Sequence, residues 1–174
     1  GIDLTPEYVD VAGRLSQRVG LSGAVSYRVA NAASLPFADA TFDGAYMLHV
    51  GMNLPDKQAV FAEIRRVLKP GGLFAIYDIF RTADGAFAYP LPWSGSPDTN
   101  FTETIAAYRA MLGAAGFTVE KERDRRDAAL AFFRQVRDQA ARGVAPPRQV
   151  AMGASAPLKV ANLARLVVEG VVAP

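Results

Sequence analysis

The feature that most constrains the fold of this chain is the alternation of short apolar runs with amphipathic helical patterns. Asp43–Val50 and Leu73–Phe80 are largely apolar over their whole length, which is typical of strands covered on both faces. Between these runs, Val60, Ile64 and Val67 recur at helical spacing. Strands that alternate with helices predict an α/β fold with a mostly parallel sheet and helices on both faces.

The same two periodicities predict the remaining elements of a single domain over residues 1–174. A strand ends near Asp3, and a last antiparallel strand begins after residue 170. Residues 81–101 are predicted to be a loop on the ligand-binding side, and residues 143–156 an irregular loop. The other predicted elements are a helix from Pro6 to Val19, strands at Val25–Ala30 and Phe117–Asp124, and helices from Thr102 to Ala115, Asp127–Arg142 and Leu158–Glu169.

Composition excludes several classes of function. The chain has no cysteine and one histidine, His49, so thiolate chemistry and a histidine metal cluster are not expected. Its 19 basic and 17 acidic residues form no basic block, so a nucleic-acid partner is not expected. No apolar run reaches the length of a membrane span. We therefore expect a cytoplasmic globular enzyme, or a piece of one, without a metal.

Polar residues stand where the predicted strands end: Asp3, Asn31, His49 and Asp78. Ligands of open α/β sheets bind beyond these carboxyl ends. There an acid can accept both hydroxyls of a ribose, although Asp3 could equally cap the following helix. The amide oxygen of Asn31 could hold an adenine amino group.

Three segments in this order carry a family resemblance: GIDLTPEYVDVA, NAASLPFADATFDGAYMLHVGMN and FAEIRRVLKPGGLFAIYD. Together they resemble consecutive motifs of class I S-adenosylmethionine-dependent methyltransferases, over residues 1 to about 80. The nearest group includes the ubiquinone and menaquinone biosynthesis methyltransferases. The resemblance implies a Rossmann-like sheet, S-adenosylmethionine as the cofactor and a small-molecule methyl acceptor.

The resemblance also implies which residues bind the cofactor. Asp3, with Leu4 beside it, matches the acid that binds the ribose hydroxyls. Asn31 and Ala32 match a pair, usually Asp-Ala, that meets the adenine ring. Asparagine at this position keeps an acceptor oxygen and loses the charge.

Leu48 and His49 match the position beside the methionine part of the cofactor. The ordinary pKa of an imidazole would suit His49 to act as a general base toward a hydroxyl or an acidic carbon. The alternative is that His49 only packs there or bonds a backbone carbonyl.

The acceptor is expected on the side of residues 81–101. Tyr89 and Trp93 could line a pocket for an apolar or cationic acceptor. Alternatively, they could pack against the core from a loop that its prolines make rigid. Asp78 could face the same pocket, or it could cap the turn at Arg81.

The family's first strand and glycine-rich loop would lie before Gly1, and most of the last strand after Pro174. We therefore expect an incomplete domain that binds S-adenosylmethionine poorly or not at all. Its unpaired strand edges would lead it to form a homodimer, by swapping or by strand pairing, or to fail to fold tightly. Two other functions stay open: a non-catalytic α/β remnant that acts by association, and a nicotinamide-dependent oxidoreductase whose ribose acid is Asp3. The methyl acceptor and the atom methylated are not predicted.

Overall fold

The computed structural model describes residues 1–143 and 152–174. Its main elements alternate as an α/β fold requires. The strands are β1 (Ile2–Asp3), β2 (Arg28–Val29), β3 (Phe42–Leu48), β4 (Leu68–Tyr77), β5 (Phe80–Arg81) and β6 (Val172–Ala173). The α-helices are α1 (Pro6–Arg18), α2 (Lys57–Val67), α3 (Ile105–Ala114), α4 (Arg126–Ala141) and α5 (Ala156–Glu169). Short 3₁₀ turns occupy Gly51–Asn53 and Pro97–Thr99.

The strands of the described residues hydrogen-bond in three pairs: β1 with β2, β3 with β4, and β5 with β6. The first pair is parallel and places Asp3 opposite Val29. The third is antiparallel and places Phe80 opposite Ala173. The α/β prediction is confirmed, and so is the antiparallel strand predicted after the last helix.

Local sequence signals explain where the helices begin and end. Pro6 occupies the first turn of α1, where its missing N–H costs nothing. The Asp56 side chain caps α2 by accepting a hydrogen bond from the Ala59 N–H at 2.9 Å. After α5, Gly170 adopts the left-handed conformation with φ 76°, which glycine tolerates best.

One predicted strand is wrong: the structure assigns no strand to Phe117–Asp124. The alternation of apolar and polar residues in FTVE is too short to specify pairing with another strand. The charged residues that follow favour contact with solvent. A strand forms only where its backbone groups find a partner strand, and the described residues provide none. Strand β2 is likewise shorter than predicted, and β4 begins at Leu68 rather than Leu73.

The expectation that both apolar strands are covered on both faces is also wrong. Tyr46 on β3 is 77% exposed, and Leu48 is 54% exposed. Leu73 on β4 is 66% exposed. One face of this pair therefore stays open within the described residues, whereas the apolar sequence alone would have it buried.

The described residues divide into two compact units, each with its own core. Unit 1 comprises Gly1–Tyr46, Asp56–Ala75 and Met111–Phe117. Its aromatic centre is Phe61, which is fully buried. The Phe61 ring meets Phe74 at a centroid distance of 5.8 Å, and Phe74 meets Phe117 at 5.5 Å. The single domain predicted over residues 1–174 stays a prediction.

Unit 2 comprises Met47–Pro55, Ile76–Ala110 and Thr118–Pro174. Its core joins the α5–β6 corner to the segments after β3 and β4. The buried members are Met52, Ile79, Leu91, Leu166, Val167, Val171 and Val172. Helix α4 packs against this core through Ala129, Leu130 and Phe133.

The irregular loop predicted at residues 143–156 falls largely on residues 144–151, which lie outside the described residues.

Within the described ranges, every helix is too short or too polar to cross a lipid bilayer.

Candidate active site

In unit 1, the parallel pairing of β1 with β2 brings two of the predicted cofactor residues to neighbouring strand ends. The Ala30 N–H donates to the Asp3 carbonyl at 3.0 Å, and Asn31 follows directly. Asp3 is exposed, and its Oδ1 accepts a hydrogen bond from the Thr5 N–H at 2.8 Å. This bond holds the turn that precedes α1. The N-cap residue of α1 is Thr5, so Asp3 does not cap the helix as its alternative predicts. Its Oδ2 accepts no hydrogen bond within the described residues, so it can still receive a ligand hydroxyl.

Asn31 begins a tight turn. Its Oδ1 accepts the Ala33 N–H at 2.9 Å, and its carbonyl accepts the Ser34 N–H at 3.0 Å. Because the amide oxygen is occupied by the backbone, Asn31 offers mainly its NH₂ group to a ligand. Ala32 is half-buried in the same turn, and Leu4 after β1 is 65% exposed. The adenine role of Asn31 and Ala32 stays a prediction.

The loop after this turn is held by a charged pair on α2 that the sequence analysis did not single out. Arg66 donates to the Leu35 carbonyl at 3.0 Å and to the Phe37 carbonyl at 2.8 Å. It also bonds Asp39 and Glu63, each at 2.7 Å. Glu63 in turn accepts the Leu35 N–H at 2.7 Å. Glu63 and Arg66, three residues apart on one helix face, therefore fix the conformation of residues 35–39.

This arrangement perturbs both charged groups. The hydrogen bond from Arg66, followed by that from the Leu35 N–H, lowers the pKa of Glu63 from 4.5 to about 2. The hydrogen bonds to Glu63 and Asp39 raise the pKa of Arg66. The pair therefore stays charged throughout the physiological pH range.

In unit 2, His49 follows β3 in a conformation that few residues adopt. Its φ is 53°, in the left-handed region that costs energy for a non-glycine residue. Its N–H donates to the Tyr77 carbonyl at 2.7 Å. The imidazole meets the Tyr77 ring edge-on at 4.7 Å and remains exposed. Such backbone outliers persist where the surroundings hold them, and they often lie in functional sites.

A buried carboxylate lies close to this turn. Asp78 is 0% exposed; its Oδ1 accepts from the Ile79 N–H at 2.9 Å, and its Oδ2 from the Tyr108 hydroxyl at 3.0 Å. Burial raises the pKa of Asp78, while the hydrogen bonds and the charge of His49 act in the opposite direction. Burial, reinforced by Asp78, also raises the pKa of Tyr108, which therefore remains a hydrogen-bond donor.

An open pocket of about 340 Å³ in unit 2 lies at the carboxyl end of β4. The lining is mainly aliphatic and aromatic, and two basic residues, His49 and Arg125, contribute to it. The remaining lining residues are Tyr77, Ile79, Ala128, Ala129, Phe132, Phe133, Leu163, Val167 and Pro174. A lining of this kind suits a small apolar ligand held by few polar contacts.

The three residues predicted on the acceptor side lie elsewhere in unit 2. Asp78 is fully buried and occupied by the protein. Tyr89 and Trp93 pack against the core, as their alternative reading predicts. Their polar atoms both meet Asn100, which donates to the Tyr89 hydroxyl at 2.9 Å and accepts the Trp93 indole N–H at 3.0 Å. Their role in acceptor binding stays a prediction.

The structure also shows residues that sequence reasoning missed. The prediction of a helix from Thr102 to Ala115 could not indicate that the Tyr108 hydroxyl meets Asp78. The pocket residues of α4 were predicted only as part of a helix. Among the described residues, no cluster of histidine and acidic side chains could hold a metal ion.

Comparisons with known proteins agree with this arrangement of motifs. Residues 1–76 match the family described as a methyltransferase domain. The sterol 4-C-methyltransferase strm-1 of Caenorhabditis elegans is 34% identical over 84 residues, which are 48% of this chain and 25% of that protein. The O-methyltransferase resE of Aspergillus sclerotiorum is 40% identical over 79 residues, which are 45% of this chain and 30% of that protein. The matched part of the chain thus spans a quarter to a third of these relatives.

The fold comparison extends over nearly the whole chain. The geranyl diphosphate C-methyltransferase of Streptomyces coelicolor A3(2) superposes with a TM-score of 0.72 at 15% identity. The likeness covers 99% of this chain and 60% of that one. Residues 1–76 therefore match a methyltransferase domain, and the chain shares the Rossmann-like α/β fold of this solved methyltransferase.

Proposed function

We propose that the protein containing this chain transfers a methyl group from S-adenosylmethionine to a small apolar acceptor. The observation that carries this proposal is the match of residues 1–76 to a methyltransferase domain, with Asp3 and Asn31 at adjacent strand ends. The Caenorhabditis elegans relative is named as a sterol methyltransferase, and a sterol is a largely apolar molecule, which supports an apolar acceptor here.

The residues present fit the cofactor. Asp3 is an exposed carboxylate at a strand end, and its Oδ2 is free to accept a ribose hydroxyl within the described structure. Residues 35–39, fixed by Glu63 and Arg66, would give the adenine ring a rigid surface. When bound, S-adenosylmethionine supplies an activated methyl group on a sulfonium ion.

The pocket beside His49 fits the acceptor. The side chains of Phe132 and Phe133 would exclude water, and the walls would orient the reacting atom. Orientation of this kind supplies up to about 7–11 kcal/mol in well-positioned reactions. His49 would accept the proton that an acceptor hydroxyl or acidic carbon loses on methylation.

The test is calorimetric titration of the whole protein with S-adenosylhomocysteine and, separately, with NADH. We expect binding of the first and none of the second. Asp3→Asn should weaken binding by about tenfold or more, since it removes charged hydrogen bonds to the ribose. The control Asp10→Asn changes an exposed carboxylate on α1 and should bind like the parent.

Two outcomes contradict the proposal. Binding of NADH without S-adenosylhomocysteine would favour the oxidoreductase alternative. Binding of neither by the whole protein would favour a non-catalytic domain.

A further inference from the structure

The carboxylate of Asp78 is buried in a way that the cofactor and the pocket do not explain. It is 0% exposed, yet it lines no part of the pocket. Burying a charge is costly unless hydrogen bonds replace the lost water. Three donors do so: the Ile79 N–H, the Tyr108 hydroxyl and the Gly51 N–H. A buried carboxylate with this many hydrogen-bond donors holds the surrounding backbone and side chains in one conformation.

One of those donors belongs to the turn that carries His49. Gly51 lies two residues after His49 and is itself buried. A Cβ atom at this position would overlap both the Tyr108 hydroxyl and the Asp78 Oδ2. Only glycine therefore lets the turn approach the Asp78–Tyr108 pair this closely. The close contact ties the backbone at residues 49–51 to the buried pair.

We propose that Asp78 and Tyr108 are positioning residues for His49. Through their close contact with Gly51 they hold the left-handed backbone of the His49 turn. The consequence for methyl transfer rests on the function proposed above, in which His49 takes up a proton. The structural part of the proposal does not, because it concerns His49 in the chain without cofactor or acceptor.

The first test is hydrogen exchange of the backbone amides, followed by NMR on the full chain. Asp78→Asn, which keeps the shape of the side chain, should speed exchange of the His49 amide by about tenfold. The Thr82 amide, which donates to Val171 in the same unit, should exchange as in the parent, which separates an effect on the turn from a general loss of stability. The control Asp98→Asn removes an exposed carboxylate from the same unit and should leave both rates unchanged. Equal exchange of the His49 amide in the parent and in Asp78→Asn would overturn the proposal.

The second test covers the case in which Asp78→Asn does not fold. Tyr108→Phe removes one donor and keeps the ring. We expect faster hydrogen exchange of the His49 amide, which donates to Tyr77, by about tenfold. The control Tyr8→Phe changes an exposed tyrosine and should leave this exchange unaltered. Unchanged exchange of the His49 amide in Tyr108→Phe would overturn the proposal.

Neither measurement uses a ligand. A negative result here would leave the cofactor titration with Asp3→Asn standing. If that titration failed, the measurements on His49 could still be interpreted, because they need no ligand.

Discussion

The pair formed by Glu63 and Arg66 gives the most quantitative prediction. Glu63→Gln removes the charge from a carboxylate that accepts hydrogen bonds from Arg66 and from the Leu35 N–H. The fall of the Glu63 pKa from 4.5 to about 2 corresponds to about 3 kcal/mol of stability. The side chains of Glu63 and Arg66 keep 22% and 31% of their surface exposed, so solvent screens part of this energy. We expect Glu63→Gln to lower the free energy of unfolding by about 1–2 kcal/mol.

The dependence on pH follows from the direction of the shift. The native state lowers the pKa of Glu63, so the unfolded chain binds a proton more readily than the folded one. The stabilisation is complete above the unfolded value of 4.5 and is lost as the pH falls toward about 2. The difference between the parent and Glu63→Gln should therefore be largest at neutral pH and shrink through this acidic window.

Urea unfolding followed by circular dichroism, repeated across the acidic range, measures this difference. Glu120→Gln is the matched control, because Glu120 is exposed and makes no hydrogen bond within the described residues. Unfolding of Glu63→Gln like the parent at neutral pH would contradict this role of the Glu63–Arg66 pair. A destabilisation that persists undiminished at the acid end would contradict it as well.

Three further predictions follow from other contacts. Gly51→Ala should cost about 2–3 kcal/mol in urea unfolding, because the added methyl group meets Tyr108 and Asp78 in a packed interior. Asp43→Asn should leave the unfolding midpoint unchanged, since the ion pair with Lys69 involves a carboxylate that is 89% exposed. Arg126→Gln should cost about 1 kcal/mol, because its guanidinium bonds the Val167 and Val168 carbonyls at the end of α5, both at 3.0 Å.

Much of the fold was predictable because its signals are local. Pro6, Asp56 and Gly170 mark helix boundaries through the chemistry of one or two turns. The helical spacing of apolar residues places α2 around Val60–Val67, and it places the start of α5 within two residues of the observed one. The strands were less predictable, because pairing depends on a partner distant in sequence. This is why Phe117–Asp124 has the alternation of a strand and the structure of a loop.

In the candidate site, too, the residues with local signals were predictable and those that depend on distant partners were not. Asp3 and His49 could be identified because each ends an apolar run, and the order of motifs assigned them a chemistry. Nothing local indicates that Asp78 is a buried anchor, since its partner Tyr108 lies 30 residues away. The same sequence, IYD followed by a loop, would suit a carboxylate facing a ligand.

The difference between an acid that binds a ligand and one that holds the protein together is therefore set by burial and by donors. Asp3 keeps one oxygen without a protein donor and remains exposed, whereas both oxygens of Asp78 are satisfied and no surface is left. A ligand can compete only for the first kind of group, because displacing three internal donors would expose a charge to an apolar core. Asp3 is thus the carboxylate from which direct contact with the cofactor should be sought, and Asp78 acts at a distance, through the backbone of the turn at His49.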